Sequence, residues 1–110
     1  MSIRVALDEI ADAAAAQAPF AYLLTVTGDA RTHIVAVTPD VREGVIACSA
    51  GRTTCANAAA RPDVVLLWPP ARPDDSSLIV DGTAHVDGEQ ISVTPPGAVR
   101  HRPAPGLPAG

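Results

Sequence analysis

Cys48-Ser49-Ala50-Gly51-Arg52-Thr53-Thr54-Cys55-Ala56-Asn57-Ala58-Ala59-Ala60-Arg61-Pro62 is the stretch that organises the rest of the chain. Read locally, it is the end of a strand, a bend and a short helix. Gly51 lets the backbone turn, Thr53 or Thr54 can cap, the alanines favour helix, and Pro62 stops it. The first amides of a helix lack intrahelical partners and carry the positive end of its dipole. Such a terminus suits a phosphate. Arg52 adds a fork of donors, and Thr53 and Thr54 add hydroxyls.

Apolar and turn residues alternate on both sides of this bend. Upstream, residues 20–27 are rich in Tyr22, Leu, Thr and Val, and Gly28-Asp29 follows as a turn. Residues 33–38 form a second strand with His33, Val35 and Val37 on one face, and Val45–Ser49 form the third. Downstream, residues 64–68 are an apolar strand, and residues 69–76 a polar, proline-rich loop. Residues 78–86 alternate strictly, with Gly82 in mid-strand marking a bulge or tight bend. Asp87-Gly88 is a two-residue hairpin signal, and residues 90–94 return as the last strand. Ahead of all this, Ile3, Leu7, Ile10 and Ala14 recur at helical spacing, which predicts a helix over residues 2–18 with Ser2 as its cap. The expected fold class is mainly β: a six-stranded antiparallel split β-barrel with an N-terminal helix and one short helix between strands three and four. Residues 1–97 form the barrel domain, and residues 98–110 a Pro/Gly-rich tail.

The bulk composition narrows the function. A chain of 110 residues that is 47% hydrophobic and 18% charged suits one globular domain. Aromatics are only 3%, so the core must be aliphatic. A net charge of −4 argues against a nucleic-acid partner. All eight strong bases are Arg, so an anion site must use Arg, amides or hydroxyls. No run approaches the ~20 apolar residues of a membrane span, and residues 1–12 lack a signal-peptide core, which points to the cytoplasm. Cys48 and Cys55 match neither a disulfide framework nor a zinc pattern, and no metal is expected.

The order of elements resembles the pyridoxamine-phosphate-oxidase-like family. The resemblance rests on Tyr22-Leu23-Leu24-Thr25-Val26, a glycine turn, His33-Ile34-Val35-Ala36-Val37, the Ser49–Pro62 segment, and the later strands Val64-Val65-Leu66-Leu67-Trp68 and Leu78-Ile79-Val80-Asp81-Gly82-Thr83-Ala84. It spans about Val5 to Thr94. It implies a split-barrel homodimer that binds FMN, or a deazaflavin, in grooves between subunits. Carried over by position, the cofactor contacts are Ser49, Arg52, Thr53 and Thr54 in the loop, Asn57 one helical turn further, and His33 on the second strand. The chain lacks the lysines and the C-terminal segment of true oxidases, so pyridoxamine-phosphate oxidation is not expected. No side chain stands out as an acid, base or nucleophile. That fits an oxidoreductase whose cofactor performs the chemistry. It also fits the alternative, a non-catalytic dimer that has lost the cofactor or only sequesters it. No substrate is legible.

Overall fold

The structure, a computed structural model, describes residues 2–106. Eight strands form one antiparallel curled sheet: β1 (Ser2–Val5), β2 (Ala21–Val26), β3 (Thr32–Val37), β4 (Asp40–Arg42), β5 (Val45–Ser49), β6 (Asp63–Trp68), β7 (Ser77–Asp87) and β8 (Gln90–His101). Their order across the sheet is β3-β2-β6-β7-β8-β5-β4, and β1 adds to β8. Two helices accompany them, α1 (Ile10–Ala15) after a 3-10 turn and α2 (Arg52–Ala60) between β5 and β6. The mainly β, split-barrel class is as expected. The strand count is eight rather than six.

The two extra strands have physical reasons. Residues 2–5, expected to open a helix, instead pair with residues 98–101 of β8, and Ser2 bonds to His101 Nδ1 at 3.1 Å. Helix begins only after Ala6, where the Glu9 carboxylate accepts the Ala6 N–H. The helix itself is one and a half turns long, with Ile10 and Ala13 buried and Leu7 left 47% exposed. β4 pairs with β5 through a turn in which Glu43 and Gly44 both take positive φ, 52° and 77°. That is the type I′ pattern, which Glu-Gly signals far less strongly than Asn-Gly.

β8 also runs well past Thr94. Pro95 and Pro96 cannot donate to a ladder, which is why the last strand is expected to stop there. The β7–β8 register shifts between Asp81 and Thr83, so the two prolines lie opposite the irregularity at Gly82, where no regular pairing is required. Gly82 thus marks the bulge expected from sequence, although the extra residue belongs to β8, where Pro95 and Pro96 stand opposite the single Gly82. Beyond it, β8 resumes and holds β7 on one side and β1 on the other. Residues 98–101 of the expected tail are therefore strand, and residues 107–110 lie outside the described residues.

The core is aliphatic. Leu23, Ile46, Leu66, Leu78, Val80, Ile91 and Val93 are fully buried, joined by Ile10 from α1 and Ala58 from α2. Trp68 is buried at the end of β6, as a strand-end Trp would be. The neighbouring segment is tied by Gln17, whose Nε2 lies 2.9–3.2 Å from the carbonyls of Trp68, Pro69 and Ser76. Its two protons are shared among three acceptors, which pins the end of the α1 segment to both sides of the proline-rich loop.

Candidate site at the start of helix α2

Helix α2 packs against β7, β2 and β8, and two of its polar side chains find partners on β2 and β3. The Asn57 amide donates to Thr25 Oγ1 at 3.3 Å, and Thr25 is fully buried in the middle of β2. Thr54 is 3% exposed and its Oγ1 lies 3.2 Å from His33 Nε2. Cys55 and Ala58 turn into the core on the same side. Exposed on the other side are Arg52, Thr53, Ala56, Ala59 and Ala60. The two polar bridges lie on the same side as the buried Cys55 and Ala58, so apolar and polar contacts agree on the rotation of the helix.

Its N-terminus is open. The N-cap is Gly51, in extended conformation (φ −70°, ψ 170°), and no side chain caps the helix. Thr53 and Thr54, either of which could have capped, instead occupy the first helical turn. A Cβ built on Gly51 would meet nothing within 4 Å. The space in front is a groove of about 470 Å³ lined by Val35, Ala36 and Val37 of β3, Ser49 and Ala50 at the end of β5, Gly51 and Thr54 of the helix start, and Glu89 of the β7–β8 turn. That turn is held in place by the Ala50 N–H donating to the Glu89 carbonyl and by the Gln90 amide donating to Ser49 Oγ at 2.6 Å. Because Ser49 accepts that bond, its own hydroxyl proton is left to donate. The groove volume is within the range of small-molecule sites.

The six residues singled out from sequence thus fall into three pairs. Ser49 and Thr54 line the groove. His33 and Asn57 lie along α2, bonded to Thr54 and Thr25. Arg52 and Thr53 are exposed, one and two residues beyond Gly51, outside the groove lining. Sequence reading missed Glu89 and Gln90, which enter through the β7–β8 hairpin. It also missed Thr25 as a partner of α2. The alternation that puts His33, Val35 and Val37 on one face was the available signal for the β3 floor.

A phosphate group fits what these residues offer: unpaired first-turn amides, a hydroxyl donor at Ser49, and a guanidinium within a side chain's reach of Gly51. Cys48 precedes Ser49 on β5 and is buried in the core. Burial, and secondarily the nearby Cys55 thiol, push its pKa from 9.0 up to about 11. A raised thiol pKa keeps the folded state protonated while the unfolded chain ionises. Its contribution is complete below pH 9 and is lost as pH rises to 11, by about 2–3 kcal/mol. Urea titrations across this window are expected to show that decline, and Cys48→Ala to flatten it. An unchanged slope in the variant would place the decline elsewhere.

The sheet and helix define an antiparallel split barrel with a ligand-sized groove at one helix terminus. Solved structures share the fold. A candidate pyridoxamine 5′-phosphate oxidase of Listeria innocua is 19% identical, with a TM-score of 0.68 over 86% of this chain and 96% of that one. An FAD binding protein of Mycobacterium smegmatis is 18% identical (TM-score 0.65; 93% and 100%). An F420 reductase is 14% identical (TM-score 0.58; 84% and 93%). The fold is that of the pyridoxamine 5′-phosphate oxidase-like split-barrel proteins. No family model matches the sequence. Two uncharacterized proteins, of Mycobacterium bovis and Mycobacterium tuberculosis, are each 40% identical over 78% of this chain and 72% of their own length. The chain belongs to their family.

Proposed function

We propose that this protein is a flavin-type oxidoreductase of the cytoplasm that holds FMN, or a deazaflavin relative, by its phosphate in the groove before α2. The observation that carries the reading is the uncapped helix start at Gly51, facing a cleft floored by β3. Arg52, Ser49, Thr53 and the first-turn amides bind the phosphate, and the β3 backbone beside Val35–Val37 orients the ring. Bound there, the cofactor supplies hydride or electron transfer. The residues of the chain supply orientation and a dry floor. The neighbouring FAD binding protein and F420 reductase support a flavin-type ligand, and choose neither kind.

The same reading includes a homodimer. On the outer face, Ala36, Tyr22, Leu67, Ile79 and Val99 stand in register across β3, β2, β6, β7 and β8. Beside them Ile34 is 56% exposed and Tyr22 39%. An apolar band this continuous is what a second copy would cover. Ile34→Arg is expected to shift the mass in light scattering from dimer to monomer. A wild-type monomer at working concentration would defeat this part.

Titration with FMN, FAD and a deazaflavin, followed by fluorescence, tests the ligand. Arg52→Ala removes a charge-assisted contact of about 1.5–3 kcal/mol, so binding should weaken roughly 10- to 100-fold. If no flavin binds wild type at micromolar concentrations, the oxidoreductase reading is wrong. The second reading, a dimer without cofactor, would then stand. One observation favours it: the groove has a carboxylate residue, Glu89, in its lining and a single arginine beside it.

A further inference from the structure

The flavin reading gives His33 no direct contact, yet the residue is placed to govern one. Its Nε2 lies 3.2 Å from Thr54 Oγ1, and Thr54 is both buried and part of the groove lining. A threonine hydroxyl has one proton to donate, whereas a cationic imidazole donates from both nitrogens and accepts from neither. When His33 is charged, Thr54 can only accept from it. The hydroxyl proton must then turn to another acceptor, and the groove is the open direction.

We propose that His33 and Thr54 form a proton-linked relay that regulates anion binding in the groove. In the neutral tautomer protonated at Nδ1, His33 accepts the Thr54 hydroxyl at Nε2, and the groove loses a donor. A proton taken from solvent onto Nε2 reverses that bond, frees the hydroxyl for the phosphate and adds a positive charge behind it. His33 is a positioning residue in this scheme. The proposal rests on the phosphate-binding reading above. The elements packed around His33 carry few other charges. β2 presents Thr25 opposite it, and its one titratable side chain is Tyr22 on the outer face. α2 presents Thr54 and Asn57, has Cys55 in the core, and is flanked by Arg52 and Arg61 at its ends. Arg31 lies in the β2–β3 turn, and Glu89 lines the groove. Histidine is the side-chain type suited to a charge change between pH 5 and 8.

FMN affinity measured from pH 5.5 to 8 in wild type, His33→Gln and Thr54→Val tests the relay. The ligand's own phosphate titrates alike in all three, so the ratio of wild type to variant isolates the protein's part. Wild type should gain about tenfold over His33→Gln between pH 8 and 5.5, and Thr54→Val should lose most of that gain. Linkage requires the reciprocal effect: in NMR titrations of wild type, FMN should raise the midpoint of the His33 imidazole. That readout needs no variant to fold. An unmoved midpoint with FMN bound, or variants that track wild type across the range, would overturn the relay and leave the binding site standing. Failure of FMN to bind wild type at any pH would overturn both.

Discussion

Gly51→Asp is expected to make the free protein more stable and to abolish its binding of phosphate-bearing flavins. Gly51 already has the extended backbone of an N-cap, and its missing Cβ would meet nothing within 4 Å. Aspartate is therefore accommodated without strain. Its carboxylate would accept the Thr53 or Thr54 amide and face the positive end of the dipole. Asp exceeds Gly as a cap by a few tenths of a kcal/mol, and the charge adds about 0.3–1 kcal/mol. At about 4–8 °C per kcal/mol for a domain near this size, Tm should rise by several degrees. The same carboxylate occupies the donors and repels the anion. Two lost charge-assisted bonds weaken binding by more than 100-fold. Gly51→Asn, which caps without charge, should fall between. Thermal melts and FMN titrations on the three proteins decide the matter. Undiminished affinity in the aspartate variant would show that the cofactor phosphate is not at this helix.

The second large effect is at the bulge. A Cβ on Gly82 would collide with Val93 Cγ1 and sit 3.1 Å from the Thr94 carbonyl oxygen. Val93 is fully buried, so it cannot swing aside. Gly82→Ala should cost about 1–3 kcal/mol by overpacking. Val93→Ala alone should cost about 2 kcal/mol from buried methyls and a residual cavity. Together they should be much less harmful than their sum, because the new methyl enters the space that Val93 vacates. A coupling of at least about 1 kcal/mol is expected from denaturant titrations. Additive losses would mean that the β7–β8 bulge absorbs the methyl by moving its backbone. The effect reaches function through β8, whose first residues pair with β5 and bring Gln90 to Ser49 at the groove.

These two glycines show which features were legible before the fold was known. Gly82 breaks an otherwise strict alternation, and Gly51 follows a strand and precedes an alanine run. Both are local patterns. So are the Gly28 turn and the hairpin between β7 and β8. In the latter, pairing of Asp87 with Gln90 makes Gly88-Glu89 the loop, one residue later than the Asp87-Gly88 signal suggests. Helix α2 was equally legible, since alanine propensity and Pro62 act within a few residues.

Local pattern alone was enough for six strands, a short alanine-rich helix ending before Pro62 and an aliphatic core, but it put the cap at Thr53 or Thr54 where the structure has Gly51. It could not determine β1, because residues 2–5 have apolar spacing compatible with a helix, and only the edge offered by residues 98–101 makes them a strand. Nor could it carry β8 past Pro95 and Pro96, whose missing amides matter only once their position opposite the bulge is known. Tertiary structure alone paired His33 with Thr54 across 21 positions and Asn57 with Thr25 across 32. Hydrogen-bond capacity is written in each side chain, but which partner satisfies it depends on how α2 packs onto the sheet, against β7, β2 and β8.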